Sequence, residues 1–207
     1  MQKVKKALFI CFVFLMLVFI VSNFEADKQN GDLGVMGQDV SAVVSKSKLT
    51  VKYVPLGVPN INSSFKAYMD FRCVTNKNSP QYKFIKQWGW SDYEGFMRCD
   101  AEKDLGITDN YYLVALGSYY GTSIGTKYRI TLDTGRVFYV VLADCKSNLH
   151  TNSTNQFGSN NNIIEFLVDT KRLNKDVRYH GSANAYMSLN GSISKIERIE
   201  FAKEGMN

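Results

Sequence analysis

The sequence predicts a mainly β domain behind one N-terminal transmembrane helix, and three observations predict it. Five short β-like runs, separated by turn signals, occupy the second half of the chain with no long helical pattern between them. A charge-free apolar run follows three lysines at the N-terminus. Between the two lies a polar stretch without sustained periodicity.

The apolar run begins at Ala7, after the basic tail of residues 1–6 with Lys3, Lys5 and Lys6, and extends to Phe24. About 18 helical residues at 1.5 Å each reach about 27 Å, enough to cross a hydrocarbon core. A cleaved signal peptide is the rival reading. Its apolar region should be shorter and end in a small-x-small site, whereas the exit here reads Val21-Ser22-Asn23-Phe24-Glu25-Ala26. Lysines before the run, with Glu25 and Asp27 after it, put the N-terminus in the cytoplasm and the remaining chain outside a single-pass cell membrane span.

Residues 25–48 read as a flexible stalk, rich in Gly, Asp, Gln, Ser and Lys. That leaves 49–207 as one extracytoplasmic domain, large enough to bury a core. The net charge is +6, of which the three tail lysines carry half. The remaining +3 is scattered, which argues against nucleic acid as a partner.

Within the domain, Leu49 to Val54 alternates like a strand and stops at Pro55 and Gly57. Phe65, Tyr68, Met69 and Arg72 recur at helical spacing behind Asn62-Ser63-Ser64, which predicts a short amphipathic helix over 62–72. Ser79-Pro80 is a good helix start, though 81–90 reads equally well as an aromatic strand and turn. The five strand predictions are 111–116, 127–132, 137–142, 163–168 and 193–201, arguing for a compact barrel or sandwich. The run 137–142 is apolar on both faces and should be central. In the last segment Ile193, Ile196 and Ile199 also fit a helical period.

Val114-Ala115-Leu116-Gly117, Ile124-Gly125-Thr126-Lys127, and then Val140-Val141-Leu142-Ala143-Asp144-Cys145-Lys146 make a spaced motif. It resembles the double-psi β-barrel domains of bacterial cell-wall proteins, closest to membrane-anchored Gram-positive ones, over roughly residues 111–169. The resemblance implies a six-stranded double-psi-like barrel with one or two short flanking helices, and peptidoglycan or another envelope polymer as partner. It also implies cleavage of glycan strands by a lytic transglycosylase route, in which one carboxyl serves as acid and then base. Asp144 is the candidate for that group. Where relatives tend to carry a second aspartate this chain has Asn152, and their glycine-rich closing loop is absent. An inert barrel that binds wall or envelope proteins is therefore the alternative.

Candidate substrate-binding residues surround the motif. Lys146 could take carboxylates or acetamido oxygens, and His150 and Thr151 follow in a polar loop. Tyr119 and Tyr120 occupy the turn before Ile124, and Asp92 stands beside Trp88, Trp90 and Glu94, a pairing of rings and acids that suits sugars. Each has a plainer use: Asp144 as a strand-end turn acceptor, His150 as a solvated loop residue, and the aromatics as core. Two histidines without a paired-ligand spacing give no metal set, and no cofactor motif is present. Cys73, Cys99 and Cys145 permit at most one disulfide, and a Cys145–His150 nucleophilic pair is a further chemical option.

Overall fold

The computed structural model describes residues 49–203, so the predicted tail, anchor and stalk lie outside the described residues. No helix among the described residues is long and apolar enough to cross a membrane. In chain order the elements are β1 (Leu49–Leu56), β2 (Ala67–Asp70), α1 (Pro80–Trp88), β3 (Trp90–Ser91), β4 (Met97–Cys99) and β5 (Tyr111–Leu116). They continue with β6 (Lys127–Leu132), β7 (Val137–Cys145), β8 (Glu165–Val168), α2 (Lys175–His180) and β9 (Ile193–Lys203).

The domain is mainly β, with one mixed, open sheet of nine strands in the order β1-β9-β6-β7-β5-β4-β3. The sheet forks at β5. One edge of that strand pairs in parallel with β7, while the other meets β4 near Tyr111 and β8 near Ala115. β2 then pairs in parallel with β8.

Period-2 alternation sorts the strand residues into two cores. Tyr112, Val114 and Leu116 of β5 join Tyr128, Ile130, Val140, Leu142 and Phe166 in one. Tyr111, Leu113 and Ala115 join Cys99, Val141, Ala143 and Ile199 in the other. All six residues of β5 are buried because both faces of the sheet are covered. β7 is flanked by β5 and β6, the central place its two-sided apolar run predicts.

The helix predicted over 62–72 is instead an extended segment, strand β2 and a short 3-10 turn at Phe71–Cys73. Tyr68 packs on the first core and Met69 on the second, so the residues work at period 2 and their helical spacing is coincidental. At Ser79-Pro80 the helical alternative holds: Ser79 Oγ accepts the Tyr82 amide at 3.1 Å and Pro80 opens α1. α1 lays Ile85 into the second core, with Phe84 packed against it.

The isoleucine spacing in the last segment is also explained. Thr131 faces Lys195 but Leu132 faces Ile193, so one extra residue bulges from β9. That bulge puts Ile193 and Ile196 on the same core, and ordinary alternation then sends Ile199 to the other. The short strands β3 and β4 and the six-residue helix α2 are additions to the predicted set.

Candidate functional site

The motif residues first complete the sheet. The Gly125 amide donates to Leu142 O and the Leu142 amide to Thr126 O, each at 2.8 Å, which carries the β6–β7 ladder past the start of β6. Gly125 has φ +93 and sits under the Phe84 ring of α1. Lys127 pairs with Glu102 and lies over the Tyr111 ring, 4.9 Å from its centroid. It is thereby occupied in holding the second core closed.

Asp144 stands where the β5–β7 register slips: Val114 faces Leu142, but Ala115 faces Asp144, so Ala143 is an extra residue in β7. A bulge re-aims the side chains that follow it. Leu142 and Cys145 both pack on the first core, which turns Asp144 toward the side that holds Ala143 and α1. Its Oδ1 accepts the Cys145 amide at 2.8 Å. Burial pushes its carboxyl up, opposed by that amide and by the Gln81 side chain at the start of α1.

Cys145 directs its sulfur toward Thr122 O at 3.8 Å, and burial, with Asp144 beside it, pushes its thiol up. A raised thiol is a poor nucleophile. Cys73, Cys99 and Cys145 are all free thiols, exposed, buried and half-buried respectively.

Lys146 and His150 do come together. They line a cleft of about 330 Å³ with Phe65, Ser147, Asn162 and Glu165. The Lys146 amide donates to Leu116 O at 2.9 Å, extending β7 by one residue, and its Nζ donates to Asn162 O at 2.7 Å. Burial pushes this ammonium down to about 8, against the opposing pull of the Glu165 carboxylate. Glu165 and Phe65 are the residues that sequence reasoning missed. They reach the cleft because β8 pairs with both β5 and β2, a long-range fact without a local signal.

The loop that carries His150 is built by Asn152. Its Oδ1 accepts the amides of Gln156 and Phe157, at 2.8 and 3.1 Å. The Thr151 hydroxyl lies within reach of Asn148 O and Asn155 Oδ1, and so is engaged inside the loop. Across from it Ser118 Oγ donates to Asn148 Oδ1 at 2.8 Å. Tyr119 is half exposed and meets Tyr120 edge-on at 5.1 Å. Tyr120 is buried, its hydroxyl without a hydrogen-bond partner among the described residues, and burial pushes that hydroxyl up.

Asp92 has a different position, in the β3–β4 turn. Its Oδ1 accepts the Glu94 and Phe96 amides and its Oδ2 pairs with Arg98 at 2.8 Å, so the carboxylate is fully occupied in the turn. Asp92→Ala is expected to cost about 2 kcal/mol in a denaturant titration, the value of a charged turn acceptor and a partly buried pair. Trp88 and Trp90 flank that region with exposed rings. Among the described residues, no group of three or more His, Cys, Asp or Glu side chains is placed to hold a metal ion.

A second buried lysine lies next to the cleft. Lys66 is fully buried, and its Nζ donates to Ser64 O at 3.1 Å, Asn184 Oδ1 at 3.3 Å and Gly191 O at 2.5 Å. Burial pushes it from 10.5 down to about 8, with Asp133 opposing. Between about pH 8 and 10.5 the unfolded chain therefore holds protons that folded Lys66 and Lys146 have released. The contribution of these two lysines to stability rises with pH across that range. Cys99, pushed by burial from 9.0 to about 11, acts in the opposite direction above pH 9. A net gain of about 1 to 2 kcal/mol is thus expected between pH 8 and 9, readable as a rising Tm. Lys66→Met and Lys146→Met should each remove about half of it.

No protein-family model, curated protein or solved structure matches this chain.

Proposed function

We propose that the chain is an envelope protein held by one membrane span at residues 7–24, and that its β domain is a double-psi-like barrel that binds peptidoglycan or a related envelope polymer. The fold reading is supported by a parallel β5–β7 pair whose second strand also closes a hairpin with β6, framing the Ile124-Gly125-Thr126-Lys127 and Asp144 motif.

The binding reading rests on one observation. Between Lys146, His150 and Glu165 the cleft carries the Ser147 and Ser159 hydroxyls and the Asn160 and Asn162 amides, with a half-buried aromatic wall, Phe65. Neutral donors and acceptors beside a ring suit sugars and acetamido groups better than a metal, a lipid or a nucleic acid. Full-length protein in detergent should pellet with purified peptidoglycan, and a His150→Ala, Asn160→Ala double variant should pellet several-fold less. Protein that stays in the supernatant would sink the binding reading.

Cleavage is the second reading, and the burial-raised carboxyl of Asp144 favours it. A protonated Asp144 would donate to the glycosidic oxygen as the bond to C1 breaks, and its carboxylate would then take the proton of the sugar's 6-hydroxyl. That oxygen closes on C1 to give a 1,6-anhydro sugar without water. Mass spectrometry of wall digests should reveal that product with the parent chain and none with Asp144→Asn. Wall binding without any anhydro product leaves an inert wall-binding or partner-binding module, the role that the hydrogen bond from Cys145 to Asp144 and the structural use of Asn152 also fit.

A further inference from the structure

The cleft beside Lys146 has a neighbour. Phe65 also lines a second cleft, of about 530 Å³, together with Ser64, Asp176, His180, Asn184 and Asn190. One half-buried phenyl ring is thus a wall common to both. Apart from Lys146 in the first, each cleft presents the same chemistry: one carboxylate, one imidazole, two Ser hydroxyls and two Asn amides. These are Glu165 and His150 on one side, Asp176 and His180 on the other.

The strip that carries Phe65 is fixed on both flanks. The Lys66 amide donates to Ser182 Oγ at 3.1 Å and Lys66 O accepts the Ala183 amide at 2.8 Å, while the Ala67 amide donates to Asn162 Oδ1 at 3.3 Å. The buried ammonium of Lys66 and the half-buried one of Lys146 tie the walls. Lys66 joins Ser64, Asn184 and Gly191 behind the second cleft, and Lys146 holds Asn162 behind the first. Lys66 is engaged by three neutral oxygens inside the wall, and Lys146, which lines the first cleft, gives one of its donors to Asn162 O and faces the Glu165 carboxylate that balances its charge. A ring held this rigidly loses little freedom on binding, the condition for an effective platform.

We infer that the two clefts form one groove across Phe65, which binds a linear, neutral, hydroxyl- and amide-rich polymer of several sugar units, with a subsite on each side of the ring. This extends the carbohydrate reading of the first cleft and rests on it, but adds a second subsite, at His180 and Asn184, and a length requirement. A polymer seated in both clefts crosses the Phe65 face with one sugar ring, whose C–H surface covers the phenyl.

Calorimetric titration of the full-length protein in detergent with β-1,4-linked N-acetylglucosamine oligomers of two to six units tests this. Affinity should rise with length, and Phe65→Ala should weaken the hexamer by about tenfold while changing the dimer much less, the loss of one aromatic platform. His150→Ala and His180→Ala, both at exposed positions, should each weaken the hexamer as well. Affinity independent of length, or a hexamer indifferent to His180→Ala, overturns the two-cleft groove. A parallel series of cellulose oligomers separates the failures. Length-dependent binding of those oligomers without wall binding keeps the groove and removes only the peptidoglycan assignment, whereas no binding of either series removes the groove.

Discussion

Gly117→Ala should destabilise the domain by about 3 kcal/mol or more, through contact alone. Gly117 is buried, and its φ of −66° and ψ of 153° are open to any residue. Backbone strain is therefore not the cause. A Cβ there would lie 2.0 Å from Asn155 O and 2.9 Å from Asn155 C, both backbone atoms. The loop cannot easily retreat, because Asn152 ties it internally and the Tyr119 amide donates to the same Asn155 oxygen at 3.4 Å. Since this loop carries His150, the substitution should also weaken glycan binding. A denaturation curve with a lower midpoint and unchanged slope is the expected readout. A loss under about 1 kcal/mol would mean that the loop yields despite the hydrogen bonds that Asn152 makes within it.

Lys66→Met is expected to cost about 3 kcal/mol near pH 7, although it removes a buried charge. Two effects compete. Burying an ammonium is costly, and its depression to about 8 registers that cost. Against it stand three oxygens, on Ser64, Asn184 and Gly191. Asn184 Oδ1 keeps the Gly191 amide when the lysine is replaced, but the Ser64 and Gly191 carbonyls lose this donor. Each unsatisfied acceptor costs about 1 to 3 kcal/mol, so the two together outweigh the relief of desolvation. Methionine keeps the side chain's length, so the cavity contribution is small. Equilibrium unfolding of parent and variant at pH 7 measures the difference. A stabilised variant would show that charge burial dominates and that the lysine is not the fastener of the groove wall.

The strands at 111–116 and 127–132 were legible in the sequence because a strand bounded by turn residues is a local pattern. The start of β7 was legible for the same reason. Its end was not: whether Asp144 faces α1 or the first core depends on one bulged residue, Ala143, and bulges leave no compositional trace. The misread helix at 62–72 shows a related limit. Four residues at helical spacing cannot be told from a strand packed on two cores until the partners of Tyr68 and Met69 are known. Lys146 and His150 were found because they follow the motif in sequence, and the fold does bring them to one cleft. Phe65, Glu165 and the second cleft were out of reach, since they meet only through the β2–β8–β5 pairing. A lysine such as Lys66 reads as surface in any sequence; only three converging oxygens make it core.

Mapping backbone-amide NMR shifts of the full-length protein in detergent micelles, during titration with soluble peptidoglycan glycan fragments, tests the central claim most directly. Binding at the polar groove predicts shifts concentrated at Ser147, His150, Gly158 to Asn162 and Glu165, and extending past Phe65 to Ser182 and Asn184. Shifts confined to α1 and the β3–β4 turn, or none at saturating fragment, would contradict it.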